Sequence, residues 1–313
     1  MADKIATREA YGNALAEFGE KYDFLVMDAD LAAATKTSIF KKKYPDRFYD
    51  CGIAEGNMMS VAAGLAAAGK IVFASSFAMF ASGRAYEQVR NSIGYPHLNV
   101  KIGATHAGIT VGEDGATHQC IEDFALMRAI PGMVVINPAD AVEARAAVEA
   151  AINYYGPVYL RFGRYGVPVL NDKDTYKFEL GKGVLMNEGN DLTIVATGIM
   201  VDKALEAAKI LETRGIKARV INIHTIKPLD KEIILKAAQE TGAIVTAEEH
   251  TVIGGLGSAV AEAVCEGCPV PVVKVGVEDQ FGRSGKVPPL LEMYGLTTAN
   301  IVAKAEIALG MKK

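Results

Sequence analysis

The chain has 313 residues; half of them are hydrophobic, 22% are charged, and the formal net charge is −4. This length is enough for two domains, because a single hydrophobic core stops growing near about 250–300 residues. The composition is typical of a globular protein and argues against a disordered or a nucleic-acid-binding chain, since a solvated loop explains the one dense cationic run, KKKYPDR at 41–47.

The N-terminus and the cysteines indicate the compartment. MADKIATREA has neither the apolar core of a signal peptide nor the Arg-rich character of a transit peptide, and no apolar run reaches the roughly 20 residues of a membrane span. Four irregularly spaced cysteines fit a reducing compartment, and the Cys265–Cys268 pair has no second pair or nearby histidines. We therefore expect a soluble, cytoplasmic protein whose own residues form no metal site.

Short β-rich runs alternate with helical runs in the first half. In chain order, strands are predicted at 24–30, 71–76, 99–104, 133–138 and 158–162, with helices at 56–69, 84–94 and 139–155. This alternation predicts parallel sheets covered by helices. The helix at 56–69 is rich in Ala and Gly, so it can pack closely against its neighbours.

Residues 167–183 break this alternation with Pro, Asp, Lys and Gly, which indicates a domain boundary. Beyond it, strands are predicted at 192–198, 218–223, 243–249 and 271–277, with helices between them. We therefore predict an α/β protein of two consecutive three-layer domains with mainly parallel sheets flanked by helices, at residues 1–175 and 176–313.

The stretch GGLGSA at 254–259 opens a predicted helix just after a strand, as dinucleotide-binding turns do. The fingerprint is incomplete because Val260 stands where Gly or Ala is required, and the stretch lies late in its domain. A tight helix N-terminus explains the glycines, and an anion site is the alternative. We predict no NAD.

The stretch THAGITVGEDGATHQ at 105–119 carries two of the five histidines. The preceding strand should deliver His106 to the carboxyl end of a parallel sheet, where α/β proteins place ligands. Imidazole and carboxylate groups transfer protons and recognise hydroxyls near neutral pH, so His106, Asp114 and His118 are predicted to converge on one small polar molecule. The alternative is a turn residue at Asp114 and a cap at His118 for a helix running through Ala129.

Two other segments add a carboxylate and two aromatic rings. Glu55 in GIAEG precedes the small-residue helix, so its carboxylate either caps that helix or faces the crevice. Phe77 and Phe80 follow a strand and form either core or a stacking wall for a flat heterocycle. Together with the polar loop, these groups suit an aminopyrimidine.

In their order, GIAEG, THAGITVGEDGATHQ and LRFGR at 160–164 resemble the pyrimidine-binding domain of transketolase-type thiamine diphosphate enzymes. The resemblance continues through the second half of the chain. It implies thiamine diphosphate and Mg²⁺ as cofactors. The implied reaction is that of the pentose phosphate pathway enzyme, transfer of a two-carbon ketol unit from a ketose phosphate to an aldose phosphate.

The same resemblance implies a role for each matching residue. It makes Glu55, His106 and His118 catalytic, places Glu55, Phe77, Phe80 and Asp30 around the cofactor, and assigns substrate binding to His106, Asp114, His118, Arg8 and Arg164. The two arginines would bind the sugar phosphate. One departure is Gly83, where many transketolases have a third aromatic. The adjacent Arg84 either faces the site or pairs with Glu87.

The family's GDG motif, which holds the diphosphate and Mg²⁺, does not occur in the sequence. The chain therefore resembles the C-terminal subunit of a split transketolase. An N-terminal partner subunit would then supply GDG and most Mg²⁺ ligands, in an α2β2 heterotetramer whose active sites form between unlike subunits.

Three other functions fit part of the pattern. The β subunit of a 2-oxo acid dehydrogenase shares the domain pair and Glu55, but its substrate needs fewer hydroxyl partners than GEDGATHQ offers. A deoxyxylulose phosphate synthase normally keeps both halves in one chain. A non-catalytic pyrimidine-domain binding subunit would be expected to lose Glu55 or the histidines, and this chain retains them.

Overall fold

The computed structural model describes residues 4–312. Its strands are β1 (Lys4–Ala6), β2 (Leu25–Asp28), β3 (Phe48–Asp50), β4 (Val72–Phe77), β5 (Val100–Thr105), β6 (Val134–Ile136), β7 (Val158–Arg161), β8 (Gly166–Pro168), β9 (Val184–Asn187), β10 (Leu192–Ala196), β11 (Ala218–Asn222), β12 (Thr225–Lys227), β13 (Ile244–Thr251) and β14 (Val272–Val277). Its helices are α1 (Thr7–Phe18), α2 (Ala32–Thr35), α3 (Ser38–Lys43), α4 (Glu55–Ala67), α5 (Tyr86–Gln88), α6 (Asp123–Arg128), α7 (Ala141–Asn153), α8 (Met200–Thr213), α9 (Lys231–Thr241), α10 (Leu256–Gly267), α11 (Val287–Met293) and α12 (Thr298–Gly310).

Seven strands form the larger sheet, in the order β12-β6-β7-β5-β4-β2-β3. All neighbours are parallel except β12, which runs antiparallel to β6 at one edge. Successive residues of β4 enter different cores: Phe73 joins a cluster with helices α1 and α7, and Ala74 joins a cluster with α4. Both faces of the sheet are therefore covered, which explains why its strands are almost continuously apolar.

Five strands form the second sheet, in the order β14-β13-β10-β11-β9, parallel except for β9. Helices α8 and α12 pack on one core of this sheet, whereas α9 and α10 contribute to the cluster that also contains α4. The two halves thus share apolar core, and β12 from the second half extends the first sheet. The predicted α/β class with mainly parallel sheets flanked by helices is confirmed. The boundary at 175/176 stays a prediction.

Two local features differ from the sequence-based expectation. The predicted helix at 84–94 is α-helical only over α5, because π-helical turns occupy Met79–Arg84 and Val89–Gly94. The sequence suggests that Cys51 and Cys120 are small, buried thiols; Cys120 is buried, whereas Cys51 is only half-buried. Between residues 4 and 312, no helix is long and apolar enough to cross a membrane.

Candidate functional site

The carboxyl edge of the larger sheet gathers the predicted residues. Strands β7, β5, β4 and β2 are parallel neighbours, so their carboxyl ends meet at one edge. Arg164 follows β7, His106 follows β5, Phe77 ends β4 and Asp30 follows β2. Glu55 reaches the same edge as the first residue of α4.

Four rings form one cluster at this edge, which we call the ring cluster: Phe77, Phe80, His106 and His118. Phe77 stacks on His106 with ring centroids 3.8 Å apart and planes at 25°, and it lies 6.0 Å from the nearly parallel ring of Phe80. His118 meets Phe80 edge-on at 5.3 Å. Phe77 and His106 are buried, whereas Phe80 and His118 are half-buried. The cluster therefore has one side in the core and one side that a ligand can reach.

Beside the ring cluster, Gly83 lies in the π-helical turn. A Cβ built on Gly83 would lie 2.5 Å from Cε of Met79. The flexible Met79 side chain therefore fills the space that an aromatic side chain at position 83 would need.

Glu55 is buried, with 2% of its surface exposed, although it stands at a helix start. Ala54 is the N-cap and α4 has no side-chain cap, so the capping alternative for Glu55 is wrong. Its carboxylate pairs with Arg84 at 3.4 Å, and the Arg84 guanidinium lies 4.8 Å from the centroid of Phe80. A buried carboxylate with one long ion pair retains acceptor capacity for a ligand.

This ion pair also shows that Arg84 is directed toward Glu55. Arg84 pairs with Glu55, whereas Glu87 accepts hydrogen bonds from Gln88 and Asn91. Arg84 was not among the predicted site residues. The sequence left two orientations open for Arg84, because an arginine next to a Gly at a helix start does not identify its own partner.

His106 is buried, has a left-handed φ of +56°, and uses both ring nitrogens within the chain. Its Nε2 lies 2.9 Å from Nη1 of Arg8, and its Nδ1 lies 2.9 Å from Oγ1 of Thr105. Because a guanidinium only donates, Nε2 accepts and Nδ1 carries the proton. Burial, and then the charges of Arg8 and Arg164, lower the pKa of His106 to about 3, so the ring is neutral at pH 7. Proton transfer by His106 would require Arg8 to move, and its catalytic role stays a prediction.

His118 is half-buried and lies 2.9 Å from Oγ1 of Thr117 through Nδ1. Its Nε2 makes no hydrogen bond to any residue between 4 and 312 and is open to a ligand. Helix α6 begins only at Asp123, with Glu122 as N-cap, so the alternative that His118 caps this helix is wrong.

Asp114 lies at the exposed tip of the loop, between two glycines of positive φ, Gly112 and Gly115. Within residues 4–312 its carboxylate forms neither a hydrogen bond nor an ion pair. Asp114 is therefore free to accept hydrogen bonds from a hydroxylated ligand.

Arg8 contacts the ring edge of His106, whereas Phe77 stacks on the ring face, and the charge of Arg164 acts on both Arg8 and His106. Arg8 donates to the carbonyl of Ala34 at 2.8 Å as well as to His106, and its buried Nε has no partner in the described part of the chain. Burial and the charge of Arg164 lower the pKa of Arg8. Arg164 donates to the carbonyl of Val111 and pairs with the exposed Glu113 at 3.4 Å. Two cations this close would be stabilised by an anion between them.

Asp30 lies outside the ring cluster. It is exposed, has a φ of +62°, and donates its backbone N–H to Asp50 at 3.1 Å. The structure therefore places it at the same sheet edge without a direct contact to the other predicted residues. Its role beside the cofactor stays a prediction.

Asp28, the last residue of β2, has a clear structural role that the sequence did not reveal. It is buried and accepts hydrogen bonds from Thr35, Thr37 and the backbone N–H of Leu31, at 2.7, 2.8 and 2.7 Å. Burial raises the pKa of Asp28 to about 6, while these hydrogen bonds oppose the rise. Asp28 thus fixes the turn that presents the Ala34 carbonyl to Arg8.

The GGLGSA stretch does form a tight helix N-terminus, at α10. Glu248 of β13 accepts hydrogen bonds from the backbone N–H groups of Leu256 and Gly257, at 2.6 and 2.8 Å. A Cβ on Gly255 would lie 2.0 Å from a Glu248 oxygen, so only glycine allows this approach. The chain's own carboxylate already occupies the position that an external anion would need, and the anion alternative is wrong.

Two family descriptions together match most of the chain. Residues 3–168 match the family described as transketolase, pyrimidine binding domain. Residues 181–301 match the family described as transketolase, C-terminal domain.

Individual proteins match over nearly the full length. A putative transketolase C-terminal section from Methanocaldococcus jannaschii is 51% identical over 95% of this chain and 94% of its own length. A 6-deoxy-6-sulfo-D-fructose transketolase subunit from Clostridium sp. is 49% identical over 95% of this chain and 92% of its own length. A solved structure described as a split gene transketolase, inactive beta4 tetramer, is 56% identical, with a TM-score of 0.92 over 99% of this chain and 100% of that chain.

Proposed function

This chain belongs to the transketolase family, and we propose that it is the C-terminal subunit of a split transketolase acting with thiamine diphosphate. In this proposal the enzyme transfers a two-carbon ketol unit from a ketose phosphate to an aldose phosphate. The observation that carries the proposal is one unbroken series of contacts at the sheet edge. It runs from buried Glu55 through Arg84 and Phe80 to the stacked Phe77 and His106, and on to Arg8.

The residues present fit the pyrimidine end of thiamine diphosphate. Glu55 offers a buried carboxylate that would share a proton with a ring nitrogen, and Phe77 and Phe80 offer apolar ring surface for a flat heterocycle. When bound, the cofactor supplies the carbon nucleophile that a ketose carbonyl requires. The role of Glu55 is to hold the pyrimidine and its proton, and the role of the rings is to exclude water from it.

The residues present do not fit the diphosphate end. The sequence has no GDG, and residues 4–312 contain no group of three His, Cys, Asp or Glu side chains that could hold a metal ion. In the proposal, an N-terminal subunit therefore supplies the diphosphate and Mg²⁺ ligands, in an α2β2 heterotetramer. The related split-gene protein described as an inactive tetramer of β chains supports the need for a second kind of subunit.

The substrate would lie along the line from His118 to Arg164. His118, with its open Nε2, would move a proton at the reacting carbon, and the free Asp114 carboxylate would accept sugar hydroxyls. Arg8 and Arg164 would bind the terminal anionic group. A phosphate fits them, and the name of the Clostridium relative shows that a family member acts on a sulfonated sugar instead.

The proposal is tested by purifying the tagged chain gently from its native host and identifying its stoichiometric companion by mass spectrometry. A companion that carries the GDG motif is expected, and the complex should transfer ketol units between sugar phosphates. A companion of the E1 α type with a lipoyl-bearing acyltransferase would contradict the proposal in favour of 2-oxo acid oxidation. A chain that purifies alone would favour a binding subunit.

A further inference from the structure

The loop that carries the predicted substrate groups, residues 106–118, is held from both halves of the chain. We call it the substrate loop. Its two ends are tied together at the base, where the N–H of Gly108 donates to the carbonyl of Cys120 at 2.8 Å. Above that base, backbone groups of the loop bond to Arg164 and Gln119 of the first half, and to Glu249 of β13 and Ser284 of the second half. The second half of the chain thus contributes to the shape of the loop.

Glu249 of β13 makes the central contact. Its carboxylate accepts a hydrogen bond from the backbone N–H of Thr110 at 2.6 Å, and it is buried. A Cβ on Gly108 would lie 2.4 Å from the Glu249 carboxylate, so glycine at this position is needed for the approach. Thr110 stands between His106 and Asp114 in the chain, so this bond fixes the part of the loop that separates them.

Arg161 holds Glu249 in place from the first sheet. Its Nη2 donates to the backbone carbonyl of Glu249 at 2.8 Å, and its Nε donates to Asp123 at 2.8 Å. Burial raises the pKa of the Glu249 carboxyl, while the Arg161 charge opposes the rise. The carboxylate is thus buried beside a paired cation, and it accepts its hydrogen bond from the loop.

Ser284 and Gln119 also hold the loop, through carbonyl groups that precede Asp114. Ser284 donates to the carbonyl of Glu113 at 2.5 Å. Gln119 donates to the carbonyls of Ile109, Gly112 and Arg283, at 3.2, 3.1 and 2.9 Å. The segment from Gly282 to Ser284 therefore fastens the tip of the loop, and Glu249 fastens its first turn.

We propose that Glu249 is a positioning residue for substrate selection. By holding the backbone N–H of Thr110, it fixes the positions of Asp114 and His118 relative to His106. The inference rests on the proposed function for its substrate, whereas the holding of the loop stands apart from any activity. It gives the C-terminal half a role in specificity, although that half contributes no group to the ring cluster.

Hydrogen exchange on the isolated full-length chain tests the holding of the loop without any assay of activity. Glu249→Ala removes the acceptor of the Thr110 N–H, and exchange in peptides spanning 108–119 should rise roughly tenfold, the equivalent of one lost charge-assisted hydrogen bond. Glu249→Gln keeps an acceptor oxygen and should restore most of the protection. Unchanged exchange in Glu249→Ala would overturn the proposal.

Glu248→Ala is the matched control. It removes a buried glutamate from the adjacent position of the same strand, but that carboxylate bonds to Leu256 and Gly257 rather than to the loop. Exchange should then rise at the start of α10 and stay unchanged at 108–119. An equal rise at both places in both variants would show that loss of any buried carboxylate loosens the chain, and would overturn a specific role for Glu249.

Steady-state kinetics of the complex test the effect on selection. In Glu249→Ala the KM for the acceptor sugar should rise about tenfold, while the affinity for thiamine diphosphate stays unchanged because the Glu55 side of the site is untouched. Ser284→Ala, an exposed change that should fold normally, is expected to raise the same KM about twofold. Equal losses in cofactor and acceptor affinity, or no change in KM in either variant, would overturn the proposal. If the wild-type complex transfers no ketol unit, the proposed function fails, and the exchange data alone decide whether Glu249 holds the loop.

Discussion

Glu55 and Glu248 occupy comparable places in the two halves of the molecule, and the fold uses them differently. Each is a buried glutamate beside the first turn of a helix that follows a strand. Glu248 accepts two short backbone hydrogen bonds from α10. Glu55 has a single ion pair, at 3.4 Å, with an arginine that is itself half-exposed.

The difference separates a carboxylate that stabilises the fold from one that is available to a ligand. Burying a carboxylate costs free energy unless hydrogen bonds or charges compensate. The backbone N–H groups of α10 give Glu248 two short hydrogen bonds, although burial still raises the pKa of its carboxyl to about 7. Glu55 has only the long contact with Arg84, so its carboxylate keeps acceptor capacity that a bound molecule would use.

Replacing Glu55 should produce the largest effect on activity. Glu55→Ala should lower kcat of the complex by about 10³-fold or more, since positioned proton transfer contributes about 10²–10⁴-fold. The free energy of unfolding should not fall, because the lost ion pair is long and half-exposed. Turnover assays and denaturant unfolding of the same preparation measure both. A parallel loss of stability would indicate that Glu55 is structural.

Replacing Glu248 should give the converse result. Glu248→Ala leaves the N–H groups of Leu256 and Gly257 without acceptors and should lower the free energy of unfolding by about 2–3 kcal/mol. Denaturant unfolding measures this loss, and Glu248→Gln should lose less. The kcat of the folded fraction should remain near the wild-type value. A large drop in kcat would contradict a purely structural role for Glu248.

A smaller effect is expected at the anion end of the site. Arg8→Ala should raise the KM for a phosphorylated sugar by about 10–100-fold, the range for a lost hydrogen bond to a charged group of about 1.5–3 kcal/mol. The matched substrate is the same sugar without its phosphate, whose KM should hardly change. Equal increases for both sugars would argue against phosphate binding by Arg8.

The smallest effect concerns the proton equilibrium of His106. In Arg8→Ala the pKa of His106 should rise from about 3 but stay below 6.5, because burial is the larger cause of the depression. Since the folded pKa lies below 6.5, the unfolded state binds more protons between these values, and His106 makes stability fall as pH drops from about 6.5 to 3. In the Arg8→Ala variant, the pH range over which His106 lowers the stability should be narrower. Nuclear magnetic resonance titration of the five histidines measures the shift, and an unchanged pKa would contradict the Arg8 contact.

The sequence predicted the central strands well because they are parallel, buried on both faces and almost continuously apolar. The strands absent from the prediction, among them β3, β9 and β12, lie at sheet edges, where partial burial leaves a weak hydrophobic pattern. The pairing of β12 with β6 joins residues about ninety positions apart, and such long-range pairing leaves no local signal.

The candidate site was predictable where it depended on motifs and unpredictable where it depended on pairing. The motifs indicated Glu55, Phe77, Phe80 and the two histidines of the loop. The partners that define their chemistry, Arg84 at Glu55 and Arg8 at the Nε2 of His106, follow from packing of distant segments. Glu249 had no signal at all, because a glutamate within AEEH shows nothing of the backbone N–H that it accepts from Thr110.

In the proposed function, this chain holds half of an active site that a second subunit completes. The most direct measurement is a titration of the purified N-terminal subunit with this chain, at fixed thiamine diphosphate and Mg²⁺, with ketol transfer as the readout. We expect no transfer by either subunit alone and a rise in transfer that saturates at a one-to-one ratio. Transfer catalysed by this chain alone, or by the partner alone, would contradict the two-subunit active site.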